Sequence, residues 1–390
     1  MRLTGLCVRD FRSWQSLDLV LQPGVTVFLG ANGQGKTNLV EAINFVATLG
    51  SHRVATDAPL IRRDCARALV QVGVLDESVA EKAVKIELNL VPRGSCGAAV
   101  NGVRATRARD ILGLLRTVLF APEDLDLVKG DPGGRRRFID ELVVARSPRF
   151  AAVMADYSRI LRQRASLLRS APAAARSAAS RESLQATLDA WDEQAATVGA
   201  RLTAARLQTL DMLRGPAVER LHWLTSAGSA LSLDYQAYNA TTATAVVAGT
   251  TPDEATLAAA IHEDLHLRRD DELRRGVVLV GPQRDDIHIG LGNLPAKGYA
   301  SHGESWSIAL ALRLASFDLL REQAGSDPVL LLDDVFAELD SVRREKLTEA
   351  IEGVEQVIIT AAVREDVPQR LLSRCLPISG SGSEVSGGDA

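Results

Sequence analysis

Gly30-Ala31-Asn32-Gly33-Gln34-Gly35-Lys36-Thr37 fits the pattern G-x-x-x-x-G-K-[ST], with an apolar strand-like run, Val25 to Leu29, before it and a helical run, Leu39 to Leu49, after it. Glycines at this spacing let successive backbone N–H groups turn toward phosphate oxygens, and the following helix adds its positive end. Lys36 is the residue type to bridge β- and γ-phosphates, and Thr37 to ligate magnesium. Such a cradle needs a carboxylate on a neighbouring strand. Pro328-Val329-Leu330-Leu331-Leu332-Asp333-Asp334 supplies one, placing Asp333 at the metal. Asp334 then stands where a water-polarising base is useful; the alternative is a strand-end cap. Lys36 and Asp333 lie 297 residues apart in a chain of 390, so the middle of the sequence is inserted into a nucleotide-binding fold closed by its two flanks.

Working outward, short apolar alternations before the loop (Leu3, Leu6, Val8; Leu17, Leu19, Leu21) and after it (Val84, Ile86, Leu88, Leu90) predict strands. Asn101-Gly102 predicts a two-residue hairpin turn, so this region forms an antiparallel layer. From Arg135 to Arg214 the texture becomes helical. Phe150, Val153, Met154, Tyr157, Ile160 and Leu161 follow helical spacing, and Leu184, Leu188, Trp191, Ala195, Val198, Leu202 and Ala205 a seven-residue repeat. Ser170 to Ser177 reads as the turn between them, giving either a protruding antiparallel hairpin or two helices of a plain bundle. Strand character returns at Gly276 to Val280, Val329 to Leu332 and Gln356 to Thr360, as suits a parallel sheet. The Gly- and Ser-rich residues 379–390 are expected to be a disordered tail.

Composition bounds the rest. The 390 residues are 46% hydrophobic and 24% charged, enough for a large core and too apolar for disorder. No apolar stretch is long enough for a membrane span or a signal segment, so the expected compartment is the cytoplasm with no membrane partner. Cys7, Cys65, Cys96 and Cys375 lack zinc-ribbon spacing and are expected to be buried small hydrophobes. The net charge is −4, so any nucleic-acid surface must be local. Between Arg135 and Arg176 ten arginines face three acids, and Arg135, Arg136 and Arg137 are the candidate DNA contacts. The alternative is a solvated helix face paired with acids elsewhere. Few aromatics, 4% of the chain, favour backbone contact over base stacking. His262-Glu263-Asp264-Leu265-His266 matches H-E-x-x-H, but no third ligand follows and its surroundings are densely charged, so it reads as an exposed helix face.

Ser301-His302-Gly303-Glu304-Ser305 opens an apolar helix and resembles the signature of ATP-binding-cassette and SMC-type ATPases, although Ser301 and Glu304 also spell a capping box. The split nucleotide fold is likewise similar to SMC-class heads. Together with Asp10-Phe11-Arg12-Ser13, Gly50-Ser51-His52-Arg53, Pro122-Glu123-Asp124-Leu125, Gly281-Pro282-Gln283-Arg284-Asp285-Asp286 and Val335-Phe336-Ala337-Glu338-Leu339-Asp340, these motifs resemble the RecF family over nearly the whole chain.

That resemblance implies an α/β ABC/SMC-type P-loop head with a mixed sheet and antiparallel β layer, plus an inserted, mainly helical lobe. The expected boundaries are 1–115 and 276–378 for the head and 116–275 for the lobe. The family further implies ATP and Mg2+ as cofactors and an ATP-dependent homodimer. In that dimer Ser301, Gly303 and Glu304 meet the γ-phosphate held by the other copy, Asp340 runs along the seam, and Arg12 and Ser13, with Arg53 as a further candidate, reach the nucleotide. It implies DNA replication and gap repair, DNA damage and SOS functions at single-stranded/double-stranded junctions, with RecR and RecO and indirectly RecA as partners. Hydrolysis should be slow and DNA-stimulated. Two departures stand out: Gln283 replaces the usual His, and Ala361-Ala362 supply no switch histidine, leaving hydrolysis to Asp334 and Lys36 with the metal.

Overall fold

The strands form where apolar residues alternate or run together. In the computed structural model, which describes residues 1–78, 83–92, 94, 96–174, 177–225, 230–246 and 251–379, these are β1 (Arg2–Phe11), β2 (Trp14–Val20), β3 (Gly24–Leu29), β4 (Ala68–Leu75), β5 (Val84–Leu90), β6 (Gly97–Val100), β7 (Val103–Arg104), β8 (Thr117–Phe120), β9 (Leu231–Gln236), β10 (Asp286–Leu291), β11 (Leu294–Pro295), β12 (Val329–Asp333), β13 (Gln356–Ala361) and β14 (Cys375–Pro377). The helices are α1 (Lys36–Thr48), α2 (Leu125–Lys129), α3 (Pro132–Arg146), α4 (Phe150–Ala174), α5 (Ala178–Thr225), α6 (Ala240–Ala245), α7 (Glu254–Arg275), α8 (Ala296–Tyr299), α9 (His302–Ala324) and α10 (Ser341–Ile351).

The chain divides into two compact units. The first comprises Met1–Leu125, Glu219–Gly228 and Trp306–Ala390, the second Asp126–Val218 and Ser229–Ser305.

In the first unit a five-stranded parallel sheet runs β14-β3-β13-β12-β8. β12 and β13 are buried along their whole length, as a parallel sheet covered on both faces requires. The register sets Leu331 beside Ile358, and Val27 beside Ile359. Long-range pairing builds most of this sheet, because β3 meets β13 and β14, and β8 meets β12, from the far end of the sequence. The side chain of Gln356, itself fully buried, fastens the junction by accepting from the Leu3 amide at 2.7 Å and donating to the Leu3 carbonyl at 2.9 Å.

A six-stranded antiparallel sheet, β2-β1-β4-β5-β6-β7, forms the second layer. Its hairpin closes at Asn101-Gly102, both left-handed at φ 50° and 80°, with Val100 opposite Val103, the backbone of a type I′ turn. Leu3, Val8, Val70, Ile86 and Leu88 from this layer share one core with Leu39 and Ile43 of α1. Fully burying each such side chain contributes about 1.5–3 kcal/mol.

The second unit is mainly helical. Tyr157 of α4 lies against Gly199 of α5, and Arg164 pairs with Asp192, so the two helices run antiparallel. Ile160, Ala196, Ile261 and Leu265 are among the residues of its core. A three-stranded antiparallel sheet, β11-β10-β9, completes it.

Several expectations are revised. Gly276 to Val280 is not a strand: Gly276 ends α7, Val277 is exposed, and Leu279 and Val280 are buried as irregular chain, while the real strands β9 and β10 were not anticipated. The expected turn at Ser170 to Ser177 is helical as far as Ala174, and residues 175–176 lie outside the described residues, as do residues 380–390 of the expected tail. All four cysteines are free but only half-buried. Among the described residues no helix is long and apolar enough to cross a membrane.

Candidate nucleotide site

β3 delivers the chain to Gly30, whose position admits no side chain: a Cβ there would lie 2.2 Å from the Ile378 carbonyl oxygen. At Gly35 the backbone is left-handed, φ 87°, and a Cβ would sit 2.7 Å from both the Ser13 hydroxyl and the Trp14 indole nitrogen. Close packing and backbone conformation therefore both demand glycine. Ala31, Asn32 and Gly33 are exposed, Gln34 is half-buried, and its N–H donates to the Ala31 carbonyl at 3.3 Å.

Lys36 opens α1 and is 6% exposed. Its ammonium donates to the Gly30 carbonyl at 2.5 Å and the Ala31 carbonyl at 3.0 Å. Burial pulls its pKa below the ordinary value, against the charges of Asp334 and Asp333.

The Thr37 hydroxyl donates to Asp333 Oδ1 at 3.0 Å. Asp333, 2% exposed at the end of β12, also accepts from the Thr360 hydroxyl at 2.6 Å. Burial nonetheless raises its carboxyl above the usual range, despite these two hydrogen bonds. A buried carboxylate short of positive charge, beside a hydroxyl, is an all-oxygen donor set suited to a hard divalent cation such as Mg2+. The residues present therefore fit the metal.

Asp334, half-buried, adopts φ 53°, uncommon for a non-glycine residue, and its N–H is held by Thr360 Oγ1 at 2.9 Å. Thr360 thus fixes both acids, a role not read from the sequence.

The loop after β1 is fastened to the same place. Trp14 Nε1 donates to the Gly35 carbonyl at 3.0 Å, and Asn38 donates to the Ser13 hydroxyl at 2.9 Å. Arg12 makes a bidentate pair with Glu41, Nε at 2.8 Å and Nη2 at 2.6 Å. Glu41 is fully buried on α1 and also accepts from Ser51, with Arg53 3.7 Å away. Burial pushes its carboxyl up, but Arg12 and Ser51 outweigh this and hold it below the ordinary value. Glu41 therefore binds two loops to the phosphate-loop helix. Its sequence signal was an acid amid Leu39, Val40, Ala42 and Ile43.

His52 sits in the second of these loops. Both ring nitrogens are buried with no hydrogen-bond partner among the described residues. Burial lowers its pKa, while Glu123, Glu41, Asp333 and Asp124 pull the other way.

Asp340 caps α10, accepting from the Arg343 N–H at 2.9 Å and from its guanidinium at 2.6 Å. In the second unit, exposed Ser301 and half-buried Glu304 form a reciprocal capping box: the Ser301 N–H donates to Glu304 at 2.8 Å, and the Glu304 N–H to Ser301 Oγ at 3.3 Å. Gly303 lies in the first turn of α9, half-buried.

The three candidate DNA arginines separate. Arg135 is buried and bidentate to Asp286 at 2.8 and 2.9 Å, so its guanidinium is already committed inside the unit. Arg136, half-buried, donates to the Asp285 carbonyl at 2.6 Å. Arg137 alone is exposed. Exposed Arg159, Arg162 and Arg169 share one face of α4.

The 281–286 motif is a polar hub of the second unit. Tyr157 donates to Gln283 Oε1 at 2.5 Å, Tyr235 donates to Asp285 at 2.6 Å, and buried Arg206 joins Asp140 to the Pro282 carbonyl. Burial raises the Tyr157 and Tyr235 hydroxyls and, despite its hydrogen bonds, the Asp285 carboxyl. His262, Glu263 and His266 are exposed, and the described residues contain no cluster of three groups able to hold a metal.

The sequence pattern described as the RecF/RecN/SMC N terminal domain matches residues 2–376. A DNA replication and repair protein RecF of Streptomyces avermitilis is 50% identical over 372 residues, covering 94% of this chain and 95% of the relative. One from Frankia alni is 52% identical over 371 residues, covering 95% and 96%. A solved structure of the recombination mediator protein RecF with ATP, from the RecFOR pathway, superposes with a TM-score of 0.84 at 28% identity, covering 94% of this chain and 93% of that one. The Smc head of Pyrococcus furiosus, at 18% identity and a TM-score of 0.52 over 97% of this chain and 93% of that one, shares the fold.

Proposed function

Because this chain belongs to the RecF family of ABC/SMC-type ATPases that act in DNA replication and repair, we propose that it is an ATP-gated dimer that clamps DNA during gap repair and hydrolyses ATP slowly to release it. The observation that carries this reading is the Thr37–Asp333 hydrogen bond at 3.0 Å, which unites the phosphate loop with an acidic strand 296 residues away. The solved relative with ATP supports the choice of nucleotide.

Lys36 leaves the Gly30 and Ala31 carbonyls and turns its ammonium to the β- and γ-phosphates, while the loop N–H groups hold the phosphate oxygens. Thr37 and Asp333 would hold Mg2+, which when bound neutralises charge on the phosphates. Asp334, electrostatically coupled to Lys36, orients the attacking water and accepts its proton. Ser301 and the capped start of α9 offer hydroxyl and backbone donors to the γ-phosphate held by a second copy, with Asp340 on the seam. Arg12 and Ser13 brace the phosphate loop through Glu41 and Asn38, one step back from the nucleotide.

DNA is held by Arg137 and the α4 arginines, Arg159, Arg162 and Arg169, through the phosphate backbone. Their exposure supports this choice over Arg135. The clamp marks junctions where RecR and RecO help RecA load, a reading supported by the solved relative's place in the RecFOR pathway.

Sedimentation with and without ATP and magnesium tests the scheme. The wild type dimerises with nucleotide, whereas Lys36→Arg and Ser301→Arg each do not. Mixing the two variants restores one working pocket; no recovery of ATPase in the mixture sinks the shared-site reading. Unchanged turnover in Asp334→Asn removes the base assignment.

A further inference from the structure

His52 is an anomaly within the first unit. The residues around it are well satisfied: Glu41 is bonded by Arg12 and Ser51, Asp124 by Arg313 and the Ala121 amide, and Asp333 by Thr37 and Thr360. The His52 imidazole, by contrast, has neither nitrogen bonded among the described residues, although both are closed off from solvent. A neutral imidazole carries one N–H donor and one acceptor, and leaving both buried without partners destabilises a fold. Its loop is no accident of slack chain, because Ser51 Oγ accepts from the Arg53 and Val54 N–H groups at 3.0 and 3.1 Å and ties the turn to Glu41. The ring is therefore held in place at a standing cost.

The anchoring of its loop leads to the nucleotide site. Ser51, its chain neighbour, donates to Glu41, one turn along α1 from Thr37, and Thr37 donates to Asp333, the carboxylate that fits the cation. A loaded site brings oxygen atoms of water and phosphate to this carboxylate, and Mg2+ characteristically keeps several waters in its shell.

We propose that His52 is a positioning residue for the metal–nucleotide complex: its idle ring nitrogens hydrogen-bond a cation-bound water or a phosphate oxygen that arrives with the cation. The proposal rests on the nucleotide reading above and adds an outer partner to the metal site. Outer partners of this kind typically alter metal affinity by 10- to 100-fold.

The experiment measures ATP affinity by titration calorimetry in magnesium and in EDTA, for the wild type, His52→Phe, His52→Leu and His52→Gln, with melting of each nucleotide-free protein. In the wild type the ratio of the two affinities reports magnesium coupling. His52→Phe and His52→Leu lower that ratio by about 10-fold or more. They melt no lower than the wild type without nucleotide, because the unsatisfied polar atoms are gone; Leu covers the case in which Phe crowds the loop. His52→Gln, which keeps a donor and an acceptor, retains most of the ratio. A wild-type ratio in both Phe and Leu variants overturns the proposal while leaving the nucleotide site intact. A wild type whose ATP affinity ignores magnesium overturns the nucleotide reading and this inference with it.

Discussion

Arg162 and Arg164 stand two residues apart on α4, and replacing each should produce opposite phenotypes. Arg164 is 1% exposed and donates to Asp192 at 2.6 Å and to Glu272 at 2.8 Å, both carboxylates being equally buried. Arg164→Met leaves Asp192 with Arg269, but Glu272, among the described residues, with only the Leu279 N–H at 2.6 Å. Removing one side of a fully buried pair costs about 3–5 kcal/mol, mostly because the remaining charge is stranded. For a unit of this size that lowers Tm by roughly 6–20 °C. Adding Glu272→Met should recover part of the loss, since it removes the stranded charge. Arg162 is exposed, with no ion-pair partner among the described residues. Arg162→Glu should therefore melt within about 0.5 kcal/mol of the wild type, yet bind DNA more weakly with a shallower salt dependence, by roughly one unit per lost phosphate contact. Calorimetric melting and a salt titration of DNA binding read out both. An Arg164→Met protein within about 1 kcal/mol of wild-type stability refutes the buried-charge argument. An Arg162→Glu protein with unaltered DNA affinity moves the contact surface off α4.

Glu41→Gln should lose about 1.5–3 kcal/mol at pH 7, the worth of a charge-assisted hydrogen bond. The Glu41 carboxyl is held below its ordinary 4.5 in the fold. Its contribution is therefore complete above that value and lost as pH falls through the lower folded value, so acid melting curves of variant and wild type should converge there. Thr360→Val removes the hydroxyl that holds Asp333 and the Asp334 N–H; melting should show a loss of about 1–3 kcal/mol, and turnover should fall with it. Gly35→Ala meets a left-handed backbone and the Trp14 indole together, so ATP binding by calorimetry should be abolished or strongly weakened.

The phosphate loop, the acidic strand and the capping box were legible because each is a local pattern with its own chemistry. Asn101-Gly102 was legible for the same reason: only two positive φ angles close that hairpin. Apolar runs were less informative. Leu279 and Val280 resemble strand residues, but they fill a core from irregular chain, and the Leu279 amide bonds a side chain rather than a ladder. Ile287 and Ile289 do alternate in β10, yet their signal sat beside the more conspicuous 281–286 motif. Charge was hardest to place. Ten arginines between Arg135 and Arg176 look alike in sequence, but Arg135 and Arg164 are committed to acids 151 and 108 residues away, while Arg162 faces water. Which arginine finds a distant carboxylate is a property of the tertiary fold, and so are the roles of Glu41 and Thr360.

The placement of β3 between β13 and β14 also sets a schedule for synthesis. A ribosome adding about 5–20 residues per second needs on the order of 15–60 s to produce the roughly 300 residues between the phosphate loop and its acidic strand. Throughout that interval the emerged loop has no Asp333 to complete it, and β3 presents bare edges to the cell. A chain released before Asp333 is made therefore carries an intact Lys36 yet lacks the carboxylate that Thr37 bonds.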